Sequence, residues 1–175
     1  MNTGLLLLRL LIGGLLFAHG AQKAFGAFGG MGVAGTAPLF ETWGLRPGAA
    51  MVKLAAAAEL TAAALLITGL ATPLGAAIAA GTLIVAGSVN ATNGLWAVKG
   101  GFELPLLYAG TAACLAFTGP GDYSLDRAIG LSDDIGVATG VSAVVLAVVA
   151  SGVVISRARA NLAKAAPTAA AGGAH

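Results

Sequence analysis

Between Glu59 and Lys99 lie 39 consecutive residues without an Asp, Glu, Lys or Arg. As one helix, at about 1.5 Å per residue, this stretch would reach roughly 58 Å, about twice the ~30 Å hydrocarbon core of a bilayer. It must therefore hold two elements. Gly69-Leu70-Ala71-Thr72-Pro73 supplies the break, because proline lacks a backbone donor and fixes its φ. The run reads as a tight hairpin of two membrane helices. Only 9% of the 175 residues are charged and 58% are hydrophobic, whereas a soluble domain carries about 25% charged residues. So few charges cannot cover the surface of a chain this size, and lipid must take the place of water around most of it. Closed β-barrels are the other way to cross a bilayer, but they need segments of roughly ten residues alternating apolar and polar. Nothing in the chain alternates, so the spans are helices.

Five apolar segments follow from the same reading: about 5–25, 49–70, 74–92, 104–118 and 135–156. Gly119-Pro120-Gly121 closes the fourth. The expected architecture is an all-α integral membrane protein: a four-helix membrane domain over 1–130, an additional C-terminal transmembrane helix within 131–157, and a disordered cytoplasmic tail over 158–175. The first segment is a retained helix rather than a signal peptide. No Lys or Arg precedes its apolar run, Arg9 interrupts it, and Ala18-His19-Gly20 is a poor cleavage site. In the long connection from Gly26 to Gly48, the stretch Thr36–Trp43 reads either as a short helix at the membrane interface or as an irregular loop anchored by Trp43.

Lys and Arg set the orientation. Lys23, Arg46, Lys53, Lys99, Arg157, Arg159 and Lys164 fall on one side of such a bundle, Arg127 falls alone on the other, and Arg9 lies within a span. Five spans with the N-terminus outside and the C-terminus in the cytoplasm satisfy this distribution, and a bacterial inner membrane is the expected location. A formal net charge of +2 without a long basic run gives no reason to expect nucleic acid. Cys114 is the one cysteine, so the chain alone offers no disulfide or dithiol chemistry, and it reads as a small buried hydrophobe.

Function is sought where charge enters the spans, since an ionised side chain at the bilayer centre costs on the order of 2.5–3.5 kcal/mol. Arg9 in the first span and Glu59 in the second are the strongest cases. Adjacent antiparallel helices would bring them to similar depth, so an intramembrane ion pair is expected. Read blandly, that pair fixes helix packing; read functionally, Glu59 handles protons or lines a polar pocket. His19 and Lys23 lie one turn apart with Gln22 nearby, and at about 100° per residue they share an arc of the first helix with Arg9. They are either a polar helix end among headgroups or a site for an anionic or quinone-type head group, with His19 as hydrogen-bond partner or proton carrier. Asn90 and Asn93, Trp96 and Glu103 add polar groups toward the same end, where the amides can also tie helices together. The expected convergence is a funnel of His19, Gln22, Lys23, Asn90, Asn93, Trp96 and Glu103 on the cytoplasmic half, with Glu59 and His19 as candidate catalytic groups. Two histidines in all, one of them in the tail, argue against haem or a metal centre.

The chain resembles the DoxX family of small membrane proteins. The resemblance is carried by Arg9-Leu10-Leu11-Ile12-Gly13, His19-Gly20-Ala21-Gln22-Lys23-Ala24-Phe25-Gly26, Glu59-Leu60, Leu70-Ala71-Thr72-Pro73, Asn93-Gly94-Leu95-Trp96, Gly101-Phe102-Glu103-Leu104-Pro105 and Gly119–Asp126. It implies a four-helix membrane domain, to which the fifth span is an addition. It also implies a membrane subunit that handles quinone, or one that anchors a soluble redox partner on the cytoplasmic side, acting within a quinone-linked oxidoreductase or redox-stress complex. At Asn90 the sequence departs from the resemblance, where many members carry histidine. A small transporter is the third reading, resting on buried charge alone.

Overall fold

The computed structural model describes residues 2–172, and the described residues form helices and turns with no strand. Six helices carry the architecture: α1 (Asn2–Phe25), α2 (Gly32–Thr42), α3 (Gly48–Thr68), α4 (Thr72–Asn90), α5 (Glu103–Thr118) and, after the single turn α6 (Leu125–Ala128), α7 (Val137–Gly172). By length and hydropathy four are able to cross a bilayer: α1, α3, α4 with its following turn, and the Val137–Ala165 part of α7. At 16 residues α5 is shorter, about 24 Å against the ~30 Å core. An irregular segment of short 3₁₀ turns precedes it.

The sequence of elements is antiparallel, with α1 packed on α3, α3 on α4, α4 on α5 and α4 on α7. Alanine dominates the interior: Ala62, Ala63, Ala76, Ala77, Ala79, Ala80, Ala112, Ala116, Ala143 and Ala147 are buried together with Ile12, Leu16, Leu66, Leu83 and Leu115. Small side chains let helix backbones approach closely, which is how van der Waals contact drives association where lipid tails are as apolar as leucine. The large residues Leu7, Leu11, Leu107 and Val149 point outward, onto the surface that lipid covers.

The α3–α4 hairpin forms at the predicted break. Gly69 ends α3 at φ +64°, and Thr72-Pro73 opens α4. Its closure uses a residue far along the chain. Asp126, wholly buried in α6, accepts the Ala71 and Thr72 amides at 2.6 and 2.9 Å, while its own amide donates to Gly69 O at 2.9 Å. A carboxylate on the free amides at the start of α4 satisfies two orphan donors and complements the helix dipole. Arg9, also wholly buried, packs over this hairpin, and its Nη2 donates to the Tyr123 carbonyl. This structure corrects the expected Arg9–Glu59 ion pair. Arg9 lies level with Gly69, ten residues beyond Glu59 on α3 and hence about 15 Å further along the axis. Among the described residues, the one carboxylate whose charge acts on Arg9 is that of Asp126 in α6, with which it makes no ion pair.

Three other expectations change. First, α7 continues as helix past Ser156 to Gly172, where a disordered tail over 158–175 was expected; the alanine-rich sequence is a strong helix former, and residues 173–175, His175 included, lie outside the described residues. Second, the Thr36–Trp43 helix forms as α2, starting earlier at Gly32 so that Pro38 sits inside it rather than near its start. It packs on α3 with Thr36 and Phe40 buried. Third, Cys114 is exposed on the surface of α5, not in the core.

Candidate functional site

Gly13 of α1 lies against Ala63 and Ile67 of α3, and Gly20 lies against Ala56 and Leu60. That register puts Glu59 level with the last turns of α1. The charge that meets it there is Lys23, whose Nζ donates to both carboxylate oxygens at 2.8 Å and reaches the His19 carbonyl at 3.5 Å. The carboxylate is almost enclosed, its side chain 7% exposed, and the ammonium 22%. Lysine's four-carbon stem rests on α1 while its head turns into the bundle. A cation and an anion that neutralise each other tolerate surroundings that neither would enter alone.

The pair borders a cavity of about 710 Å³, within the ~300–1,000 Å³ range of small-molecule sites. Gln22, Lys23 and Glu59 line it, with Met31, Thr36, Phe40 and Trp43 from the α1–α2 loop, α2 and its C-terminal turn. Ile78, Thr82, Val85 and Asn90 of α4 and Leu146, Ala150, Ser151 and Val154 of α7 line it as well. Two features shape its rim. Gln22 Nε2 donates to Phe28 O at 3.2 Å, folding the α1–α2 loop back over α1. Phe40 and Trp43 lie with ring centroids 5.5 Å apart, an aromatic pair in the same lining.

Of the residues expected to converge, Gln22, Lys23 and Asn90 line this cavity, together with the deeper Glu59. His19 is exposed on α1 and offers the site only its backbone carbonyl. Asn93, Trp96 and Glu103 are absent from the cavity wall. Asn93 Nδ2 donates to Gly100 O at 3.1 Å and Glu103 Oε2 accepts the Ala97 amide at 2.8 Å, so both organise the loop between α4 and α5. Trp96 is 58% exposed on that loop. Trp43, Phe40, Met31, Thr82 and Ser151 complete the wall without having been singled out as ligand contacts. Trp43 was visible as an interface anchor, but the α7 contribution carried no sequence signal. Among the described residues no three His, Cys, Asp or Glu side chains gather as a metal site would require.

A family model described as DoxX matches residues 4–92, half of the chain. The chain belongs to the DoxX family. No curated protein and no solved structure matches the sequence. The matched segment of this DoxX protein contains Lys23, Glu59, Gln22, Trp43 and Asn90, and it ends two residues past α4. The α7 wall lies outside that segment.

Proposed function

We propose that this DoxX protein is the membrane subunit of a quinone-linked oxidoreductase or redox-stress complex, and that the cavity at the Lys23 end receives the quinone head group. The observation that carries this reading is the placement of the Lys23–Glu59 pair on the edge of a largely apolar cavity of head-group size. A quinone ring suits it chemically. The Gln22 amide has a second N–H for a ring carbonyl, the Lys23 ammonium can donate to one by giving up its long contact with the His19 carbonyl, the Phe40–Trp43 pair offers aromatic faces, and the α4 and α7 walls suit an isoprenoid tail. A bound quinone would supply the capacity to take up two electrons and two protons, with the electrons coming from a soluble redox partner. Glu59 and Lys23 meet at the edge of this cavity, where the carboxylate can accept a hydrogen bond and the ammonium can donate one. The native setting proposed is a bacterial inner membrane with the Lys23 end facing the cytoplasm, in keeping with the seven cations that favour that side.

The two tryptophans provide the test. In a Trp96→Phe background Trp43 is the sole indole and lies in the cavity wall. Titrating a short-tailed benzoquinone should quench it saturably. Lys23→Met or Glu59→Gln should weaken the apparent affinity by ~10-fold, the worth of one hydrogen bond to a charged group. Linear, non-saturating quenching, or unchanged affinity in both variants, would remove the quinone reading.

A second reading, a non-catalytic anchor for a soluble redox partner, is favoured by the connection over residues 91–100. Every residue in it is exposed, Trp96 and Val98 included. Replacing Trp96 and Val98 by serine should then release a co-purifying soluble protein while leaving quinone quenching at Trp43 intact.

A further inference from the structure

A second cavity lies where α7 leaves its apolar run. Residues 137–156 carry no charge and cover ~30 Å as helix, the thickness of the hydrocarbon core, so the turns after Arg157 stand at headgroup depth. There the α2–α3 connection is drawn onto the helix. Asn161 Nδ2 donates to Gly44 O at 2.9 Å. Gly44 approaches so closely, at φ +77°, that an added Cβ would lie 2.2 Å from the Ala158 carbonyl. Beside this contact a cavity of about 430 Å³ is lined by Arg46, Asn161, Lys164 and Ala165.

The cavity holds two cations and no acid. Among the described residues the ion pairs are Lys23–Glu59 and Arg127–Asp133, so neither Arg46 nor Lys164 has a carboxylate within ion-pair distance. Glu41, the acid nearest Arg46 in sequence, accepts the Gly48 amide at 3.1 Å instead. The surrounding charge has the same sign: Arg46, Lys53, Lys99, Arg157, Arg159 and Lys164 stand at this end against Glu41 and Glu103. The apolar face continues from the cavity toward the bilayer. Val149 and Val153 are exposed, and at 100° per residue both lie within about 60° of Lys164 around α7.

We propose that Arg46, Asn161 and Lys164 form a headgroup site for an anionic phospholipid, with the phosphodiester between the two cations and an acyl chain along Val149 and Val153. Basic pockets between membrane helices at this depth recognise such headgroups. The exposed valines point to a lipid rather than free phosphate, because a phosphate ion has nothing to place on them. The site is independent of the quinone cavity and of the reading given to it.

Native mass spectrometry of the full chain, released from vesicles of equimolar phosphatidylglycerol and phosphatidylcholine, tests the proposal. Phosphatidylglycerol adducts should dominate on the wild-type protein. The double variant Arg46→Ala/Lys164→Ala should lose them by about 30-fold, the scale of two juxtamembrane cations. Arg46→Lys/Lys164→Arg, which keeps both charges, should retain them, and so should Arg159→Ala. Helical circular dichroism of the same samples shows that each variant is folded. Equal adducts of the two lipids on the wild type, or undiminished phosphatidylglycerol on the folded double variant, would overturn the site. Displacement of the lipid by inorganic phosphate at matched concentration would overturn the choice of lipid over free anion.

Discussion

Lys23 and Glu59 sit in one helix–helix contact, and the two cannot be removed with equal consequence. Lys23→Met leaves an almost enclosed carboxylate without its cation, which should lower stability by about 2–3 kcal/mol, below the ~3–5 kcal/mol of a fully buried pair because the ammonium is partly solvated. Lys23→Met/Glu59→Gln removes both charges and should regain most of that loss. A double-mutant cycle on thermal unfolding in detergent checks it, and additive losses would mean the pair is not coupled. At the other end Asp126→Ala uncovers the Ala71 and Thr72 amides and should cost roughly 1–2 kcal/mol as a lost helix cap. Gly69→Ala should cost at least as much, since its Cβ would fall 1.6 Å from Arg9 Nη1 at a positive φ. Wild-type unfolding midpoints in both would contradict the clasp. Glu59 was legible because a lone acid in an apolar run stands out. Its partner was not, because counting depth from each helix end says nothing about how far one helix slides along the other. The glycine contacts at Gly13 and Gly20 fix that slide, and they lie three-dimensionally, not sequentially, near α3.

At the scale of elements, α7 gives the cavity a wall that the family-matched segment lacks. Ala150 lines the cavity from α7 and belongs neither to the ion pair nor to the aromatic pair. Ala150→Phe should therefore fill the cavity and abolish saturable quinone quenching at Trp43 while leaving the unfolding midpoint within about 1 kcal/mol of wild type; unchanged binding would place the ligand elsewhere. The helices themselves were legible from hydropathy, and the α3–α4 break from Thr72-Pro73. The helical course of α7 beyond Ser156 was not, because low hydropathy and alanine-rich sequence are shared by disordered tails and by helices that project from a membrane. Nor was the docking of α2. Thr36 and Phe40 are buried, and Phe40 shares a cluster with Val52 of α3 and Ala158 of α7, contacts that no local pattern encodes.

Over the whole molecule the charges separate by end. Arg46, Lys53, Lys99, Arg157, Arg159 and Lys164 belong to the end of the bundle that holds the Lys23–Glu59 cavity, while Asp122, Asp126, Asp133 and Asp134 gather with Arg127 at the Arg9 end. With the Lys23 end in the cytoplasm, a cysteine at Ser124 should react with an impermeant thiol reagent added outside intact cells, and one at Ala165 should not, both in a Cys114→Ala background. Labelling of Ala165→Cys alone would reverse the orientation. The funnel expected from sequence reduced, in the folded bundle, to three of its residues, Gln22, Lys23 and Asn90, around one cavity with Glu59, because the α4–α5 loop keeps Asn93 and Glu103 for its own backbone. What that cavity holds decides the proposed function. Extracting the purified protein with organic solvent and measuring isoprenoid quinone by mass spectrometry tests it most directly. Wild-type protein should carry quinone that survives mild detergent, and Lys23→Met, Glu59→Gln and Ala150→Phe should each carry ~10-fold less. Equal quinone in all four, or none in the wild type purified from quinone-replete membranes, would contradict it.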